Sequence, residues 1–180
     1  MHIFLIGEIQ IGKSTIIDKT LSLLSLSPQG FRTYFGPDRS NYWDRRLYMN
    51  DASKEKTYRA ENVIVSFTKE QPLVLTERFN NWGAELVHNA RDSANLIIMD
   101  ECGSFEQEAY LFQKEILAAL DDSIPIIGVI KQNFSGWVDQ IKIHPKVTLI
   151  TVTKYNRDLL PHVLASQLIP SVILAKYKQN

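Results

Sequence analysis

Only one cysteine, Cys102, occurs among the 180 residues, so no internal disulfide can form and a reducing compartment, the cytoplasm, is the expected setting. Neither sign of charge is in excess. Twenty basic and twenty acidic side chains cancel, no overall field favours nucleic acid or an anionic membrane, and neither is expected as a partner. Long apolar runs are missing as well: Leu96 to Met99 and Ile124 to Ile130 fall far short of the ~18 residues that span a bilayer. The greasier 159–175 stretch is interrupted by His162, Ser166, Gln167 and two prolines. Met1 to Gly7 has no basic stretch and no apolar segment ahead of a cleavage site, and is not expected to be a signal peptide. There is no repeat, low-complexity tract or linker. What remains, 44% hydrophobic and 22% charged residues, suits a globule with a real core, and the length suits one domain over 1–180.

Short apolar runs alternate with helical patterns along the chain. His2 to Ile6, Asn95 to Met99, Pro125 to Ile130 and Lys146 to Val152 are predicted as buried strands. Lys13 to Leu26, Glu106 to Leu120 and Asp158 to Gln167 are predicted as helices, with Pro161 tolerable in the first turn of the last. Continuous apolar strands separated by helices imply a mainly parallel sheet covered on both faces, an α/β architecture. Residues 31–75 differ: four short β-rich runs with no long helix predict an antiparallel β-insert beside the main sheet. The groups Asn80-Asn81-Trp82-Gly83 and Asn133-Phe134-Ser135-Gly136 read as turns. Residues 32–59 carry seven basic against four acidic side chains, and 100–122 seven acidic against one basic, a disposition suited to a metal–polyphosphate ligand.

Gly7-Glu8-Ile9-Gln10-Ile11-Gly12-Lys13-Ser14 matches G-x-x-x-x-G-K-[ST] in full and is followed by Thr15. A strand ending at Gly7 lets the loop wrap a phosphate with its backbone N–H groups, and a helix opening near Lys13 aims its positive end at the same anion. Lys13 would bridge the β- and γ-phosphates, and Ser14 would give its hydroxyl oxygen to Mg²⁺. Glu8 places a negative charge in an anion-binding loop and is expected to face solvent.

Leu96-Ile97-Ile98-Met99-Asp100-Glu101 is an apolar strand ending in two carboxylates, expected to lie beside the first strand. Asp100 would join the Mg²⁺ shell, and Glu101 would orient and deprotonate an attacking water. Glu106 reads equally as a supporting acid of this site or as a carboxylate in the first turn of the next helix, facing its dipole. Cys102 reads as a reduced, partly buried thiol rather than a nucleophile. Trp43, Trp82 and Trp137 read as core, with base stacking as the alternative.

With these motifs the chain resembles the single-domain P-loop nucleoside-triphosphatases first described from thermophiles, whose relatives include the cancer-related nucleoside-triphosphatase. The match runs over essentially the whole chain: the loop, Gly30-Phe31-Arg32-Thr33, Asp100-Glu101-Cys102-Gly103 with Glu106, and Thr153-Lys154-Tyr155-Asn156-Arg157-Asp158. The resemblance implies a RecA-like three-layer P-loop NTPase sandwich with an extra strand between the phosphate-loop strand and the acidic strand. It implies Mg²⁺-dependent hydrolysis of nucleoside 5′-triphosphates, ATP and GTP among them, to diphosphate and phosphate with loose base preference. It also implies that Asn156 and Arg157 lie near the nucleotide, Arg157 to stabilise transferred charge or contact the base. The chain departs from the family at Ile9 and Gln10, where Pro or Gly is usual, and at Pro37-Asp38-Arg39, where the family's arginine is displaced. Its Arg-x-Gly-Phe segment survives only as Arg45-Arg46-Leu47-Tyr48.

Three other functions fit the same loop: a nucleotide or small-molecule kinase, a GTPase-like switch, and a relative that binds nucleotide without turnover. Glu101 directly after Asp100 argues for water activation against the kinase, and no Asn-Lys-x-Asp follows the late strands to read guanine. The source of an activating arginine is open among Arg157, Arg32, Arg45 and a neighbouring subunit, and so is the oligomeric state.

Overall fold

The computed structural model describes residues 1–37 and 42–178, with side chains at 1–37 and 43–175; Asp38 and Arg39 of the displaced-arginine segment lie outside the described residues. The strands are β1 (His2–Ile6), β2 (Gln29–Phe35), β3 (Arg46–Asp51), β4 (Val63–Ser66), β5 (Leu73–Val74), β6 (Ile97–Cys102), β7 (Ile126–Ile130) and β8 (Val147–Thr151). They form one sheet in the order β5-β4-β3-β2-β6-β7-β1-β8. β2, β6, β7, β1 and β8 run parallel, and β3, β4 and β5 continue from β2 as an antiparallel meander.

Alternation along the central strands sorts side chains to two faces. Ile3, Leu5, Ile98, Ile127 and Val129 meet α1 (Lys13–Leu24) and α6 (Leu160–Lys178). Phe4, Phe31, Met49, Ile97, Met99 and Ile126 meet α3 (Ala84–Ser93), α4 (Tyr110–Asp121) and α5 (Val138–Lys142) on the other. The three-layer α/β sandwich expected from the sequence is therefore present, and the extra strand is β7, between β1 and β6.

That order corrects one expectation: the acidic strand β6 is not beside β1 but one strand removed. The insert is likewise not a separate element, because β2 pairs with β6 on one edge and β3 on the other, making the meander part of the same sheet. β8 is predicted to be buried; it is an edge strand, paired among the described residues only with β1, and its five side chains are half-buried or exposed. Asn80 to Gly83 is no turn, since α2 (Thr76–Arg78) passes through a π-helical segment at Phe79–Gly83 into α3. Phe79 and Gly83 are buried there, and packing against Phe112 overrides the local turn chemistry. α4 begins at Tyr110, leaving Glu106 in the preceding turn. α6 runs past Pro170 because Leu164, Leu168 and Val172 continue its buried stripe against α1, an apolar gain set against the ~3 kcal/mol that an interior proline costs. Among the described residues no helix is long and apolar enough to cross a membrane.

Candidate phosphate and metal site

β1 enters the site flanked by β7 and β8, and the chain turns at Gly7 so close to β8 that a Cβ there would lie 2.7 Å from the Val152 carbonyl oxygen. Gln10 (φ 63°) and Gly12 (φ 108°, the residue capping α1) adopt left-handed backbone, the kind of local reversal that turns successive N–H groups to one side and makes an anion cradle. The first turn of α1 carries no acidic residue to neutralise its positive end. Lys13 closes the loop: its Nζ donates to the carbonyl oxygens of Gly7 at 2.7 Å and Glu8 at 2.8 Å. Burial draws the Lys13 ammonium below its usual pKa, and the carboxylates of Glu101 and Asp100 oppose that shift. Glu8, Ile9 and Gln10 turn their side chains outward, Ile9 being 85% exposed, so what they offer a ligand is backbone. Thr15 is exposed on the first turn of α1.

The acidic pair owes its placement to a bulge. Met99 pairs with Gly128 and Cys102 with Ile130, so three steps along β6 match two along β7. Asp100 is 5% exposed on the face that carries α1, while Glu101 is exposed. The Ser14 hydroxyl donates to Asp100 Oδ1 at 3.4 Å, joining the phosphate loop to the acidic strand. Burial pushes the Asp100 carboxyl up to about 6, against the pull of Arg32, which stands opposite it on β2. A serine hydroxyl and one carboxylate, hard oxygen donors from two elements, suit Mg²⁺, which takes most of its six ligands from phosphates and water. Among the described residues there is no group of three or more ionisable ligands.

On the other flank of α1, Gln10, Gly12, Thr15, Lys19, Arg157 and Asp158 line a cleft of ≈ 180 Å³. Arg157 is thus brought to the phosphate loop but not to the acidic strand. The Asn156 amide is taken up by its own loop: Oδ1 accepts from the Thr153 N–H at 2.8 Å, and Nδ2 donates to the Thr151 carbonyl at 2.9 Å. Its side chain shapes the loop that carries Arg157 rather than facing the cleft. Of the other two arginines, Arg32 is paired with Asp18 of α1 at 2.6 Å, and the Arg45 guanidinium lies 4.0 Å above the Phe35 ring.

A family model described as NTPase matches residues 2–165. The chain belongs to this NTPase family. "Nucleoside-triphosphatase THEP1" of Natranaerobius thermophilus is 26% identical over 178 residues, covering 93% of this chain and 96% of that protein. The Methanocaldococcus jannaschii protein of the same name is 25% identical, over 89% and 92%. The crystal structure of THEP1 from Aquifex aeolicus superposes with a TM-score of 0.75 at 22% identity, over 93% of this chain and 99% of that one. The solution structure of a human cancer-related nucleoside triphosphatase gives 0.69 at 22%, over 92% and 96%. Both structures share the fold.

This NTPase builds the turn after its acidic strand around Glu106. The side chain is 3% exposed and accepts the Gly103 N–H at 2.8 Å, so Glu106 braces the site from the turn and does not sit in the first turn of α4. Trp137 Nε1 donates to the Gly103 carbonyl at 2.8 Å, which gives this tryptophan a core position and a bracing bond. Trp82 is half-buried against the same core, whereas Trp43 is 44% exposed. Cys102 is buried and its thiol is pushed well above its usual range, chiefly by burial, in keeping with an inert reduced thiol.

Burial pushes the Glu106 carboxyl up to about 7, with the charge of Glu101 adding to the rise and the Gly103 N–H and Lys131 opposing it. A folded-state pKa above the unfolded value means that the folded chain holds more protons between about pH 4.5 and 7, so stability falls as pH rises through that window. Glu106→Gln, which keeps an acceptor for Gly103, is expected to flatten that decline. Urea midpoints at pH 5, 6, 7 and 8 measure it, and parallel profiles for the two proteins would refute it.

Proposed function

We propose that this chain hydrolyses nucleoside 5′-triphosphates to the diphosphate and phosphate, with Mg²⁺ and with loose preference for the base, acting as a single cytoplasmic domain over 1–180 with 31–75 as its insert. The observation that carries the reading is the Ser14–Asp100 hydrogen bond, which joins an anion cradle to an acidic strand whose next residue is the accessible Glu101. The backbone of Gly7 to Thr15 would cradle the β- and γ-phosphates. Lys13 would leave the Gly7 and Glu8 carbonyls for phosphate oxygens. Mg²⁺, when bound by Ser14 and Asp100, would neutralise charge shared by the β- and γ-phosphates. Glu101 would accept a proton from water as the water oxygen bonds to the γ-phosphorus and the bridging oxygen leaves with the diphosphate. Arg157 would meet the nucleotide in the cleft beside α1, with Asn156 holding its loop in shape.

Phosphate release from ATP, GTP, CTP and UTP, with Mg²⁺ and then with excess EDTA, tests this. All four are expected to be substrates within about tenfold of each other, a discrimination of less than about 1.4 kcal/mol, and chelation is expected to stop release. Turnover of a single nucleotide would overturn the loose specificity, turnover in EDTA the metal requirement, and binding without release the hydrolase itself.

A further inference from the structure

α6 is apolar on both of its faces. Leu160, Leu164, Leu168 and Val172 form the buried stripe that meets α1. On the opposite side Leu159, Val163, Ser166, Pro170, Ile173 and Leu174 recur at steps of three and four, and all are exposed, Leu159 by 68%. From Leu159 to Ala175 the only ionisable side chain is His162. The Ser166 hydroxyl donates to the Val163 carbonyl at 2.8 Å, so the polar residue in the middle of the stripe spends its donor within the helix. Other helices turn charge outward, Asp18 and Lys19 on α1 and Glu85 and Asp92 on α3. A helix apolar all round is ordinarily buried, yet half of this one is open. The apolar area also reaches onto α1, where the exposed Leu23 joins Pro161 and His162 in lining a cleft of ≈ 470 Å³.

The neutrality of the whole chain hides a local excess of base around this face. Lys154 and Arg157 precede α6, Lys176 and Lys178 follow its apolar stretch, and Asp158 is the one acid between residues 154 and 178. The exposed Lys19 lines the same cleft as Leu23. We propose that the outer face of α6 docks on an anionic lipid membrane, against the expectation drawn from net charge alone. The helix would lie flat on the bilayer, its outer stripe among the upper acyl chains and the bases at its two ends against acidic headgroups. An interfacial helix ordinarily carries its own polar face; here the rest of the domain, packed on the inner stripe, takes that part. A second copy of the chain fits the face less well. In parallel or antiparallel pairing alike, a basic end of one α6 would meet a basic end of the other, and like charges brought together oppose association. The binding is peripheral, in keeping with the absence among the described residues of a helix able to cross a membrane. It is independent of the triphosphatase reading.

Flotation of the full chain with vesicles of phosphatidylcholine alone, and with about 30% phosphatidylserine added, tests the proposal. Wild type is expected to bind the anionic vesicles at least about tenfold more tightly than the neutral ones. Most of that preference should disappear as salt rises from about 0.05 M to 0.5 M. Lys176→Gln with Lys178→Gln is expected to weaken binding about 25-fold, roughly fivefold for each base. Val163→Glu with Ile173→Glu is expected to weaken it at least about tenfold. Both positions are exposed, so the melting temperature should stay within about 3 °C of wild type. Equal binding to the two kinds of vesicle, no binding at ~1 mM lipid, or undiminished binding by either double variant would each overturn the proposal. So would a dimer in sedimentation velocity that Val163→Glu dissolves, which would give the face to a second copy of the chain.

Discussion

Replacing Glu101 by glutamine is expected to slow hydrolysis about 10²- to 10⁴-fold, the usual contribution of a positioned general base, while triphosphate binding stays close to wild type. The side chain is exposed beside the buried Asp100 and makes no ion pair among the described residues, so an isosteric amide disturbs neither the fold nor the Ser14–Asp100 bond. Lys13→Ala is the contrasting case. It removes the cation that bridges the Gly7 and Glu8 carbonyls and would hold the phosphates, so binding and turnover should fall together. Equilibrium binding of a fluorescent triphosphate beside single-turnover phosphate release separates the two. Unchanged release in Glu101→Gln would remove the general base from the scheme, and lost binding in the same variant would assign Glu101 to the ligand rather than to water.

Phe112→Ala is expected to cost about 3–5 kcal/mol of stability, a large share of the ~5–15 kcal/mol available to a domain. Phe112 is fully buried on α4, its ring 5.0 Å from that of Phe31 on β2 and 5.5 Å from that of Phe79 in the π-helical segment. Gly83 packs onto the same ring, where a Cβ would come within 3.0 Å. Truncation leaves a cavity bordered by three elements that cannot collapse together without shifting β2, the partner of the acidic strand. A melting temperature lower by about 10 °C or more is expected, with Phe112→Leu losing clearly less. A shift under about 3 °C would mean that the site refills.

The parts of this molecule that follow local rules were legible in the sequence. Gly7 to Ser14 declares a strand-loop-helix through its glycines and lysine, and the runs at 97–99 and 126–130 declare buried parallel strands through unbroken aliphatics. What stayed hidden depends on partners distant in sequence. Asn80 to Gly83 has the composition of a turn, and contacts with α4, the Phe112 ring among them, hold it helical. β8 reads like β1 in composition, but its edge position follows from the strand order. Glu106 finds its place only through the start of α4 at Tyr110, which leaves it in the preceding turn. Asn156 was legible as a residue of the last loop but not in its direction, because an amide bonded to its own backbone looks no different in sequence from one turned toward a ligand.

The strand that carries the phosphate loop precedes the other described strands in the chain and is the last of them to be framed. Its two neighbours, β7 and β8, come from residues 126–130 and 147–151, and α6, which packs on α1, comes later still. A nascent chain extended through α4 therefore owns the phosphate loop and the acidic pair but has neither neighbour of β1 to hold it flat. Contacts of such long sequence separation form late and slowly. A nucleotide held by this loop would therefore find its cradle only once β7 and β8 are in place, and would stabilise the framed sheet rather than guide its assembly. Translation products that stop before β8 would be recognised by their failure to bind it.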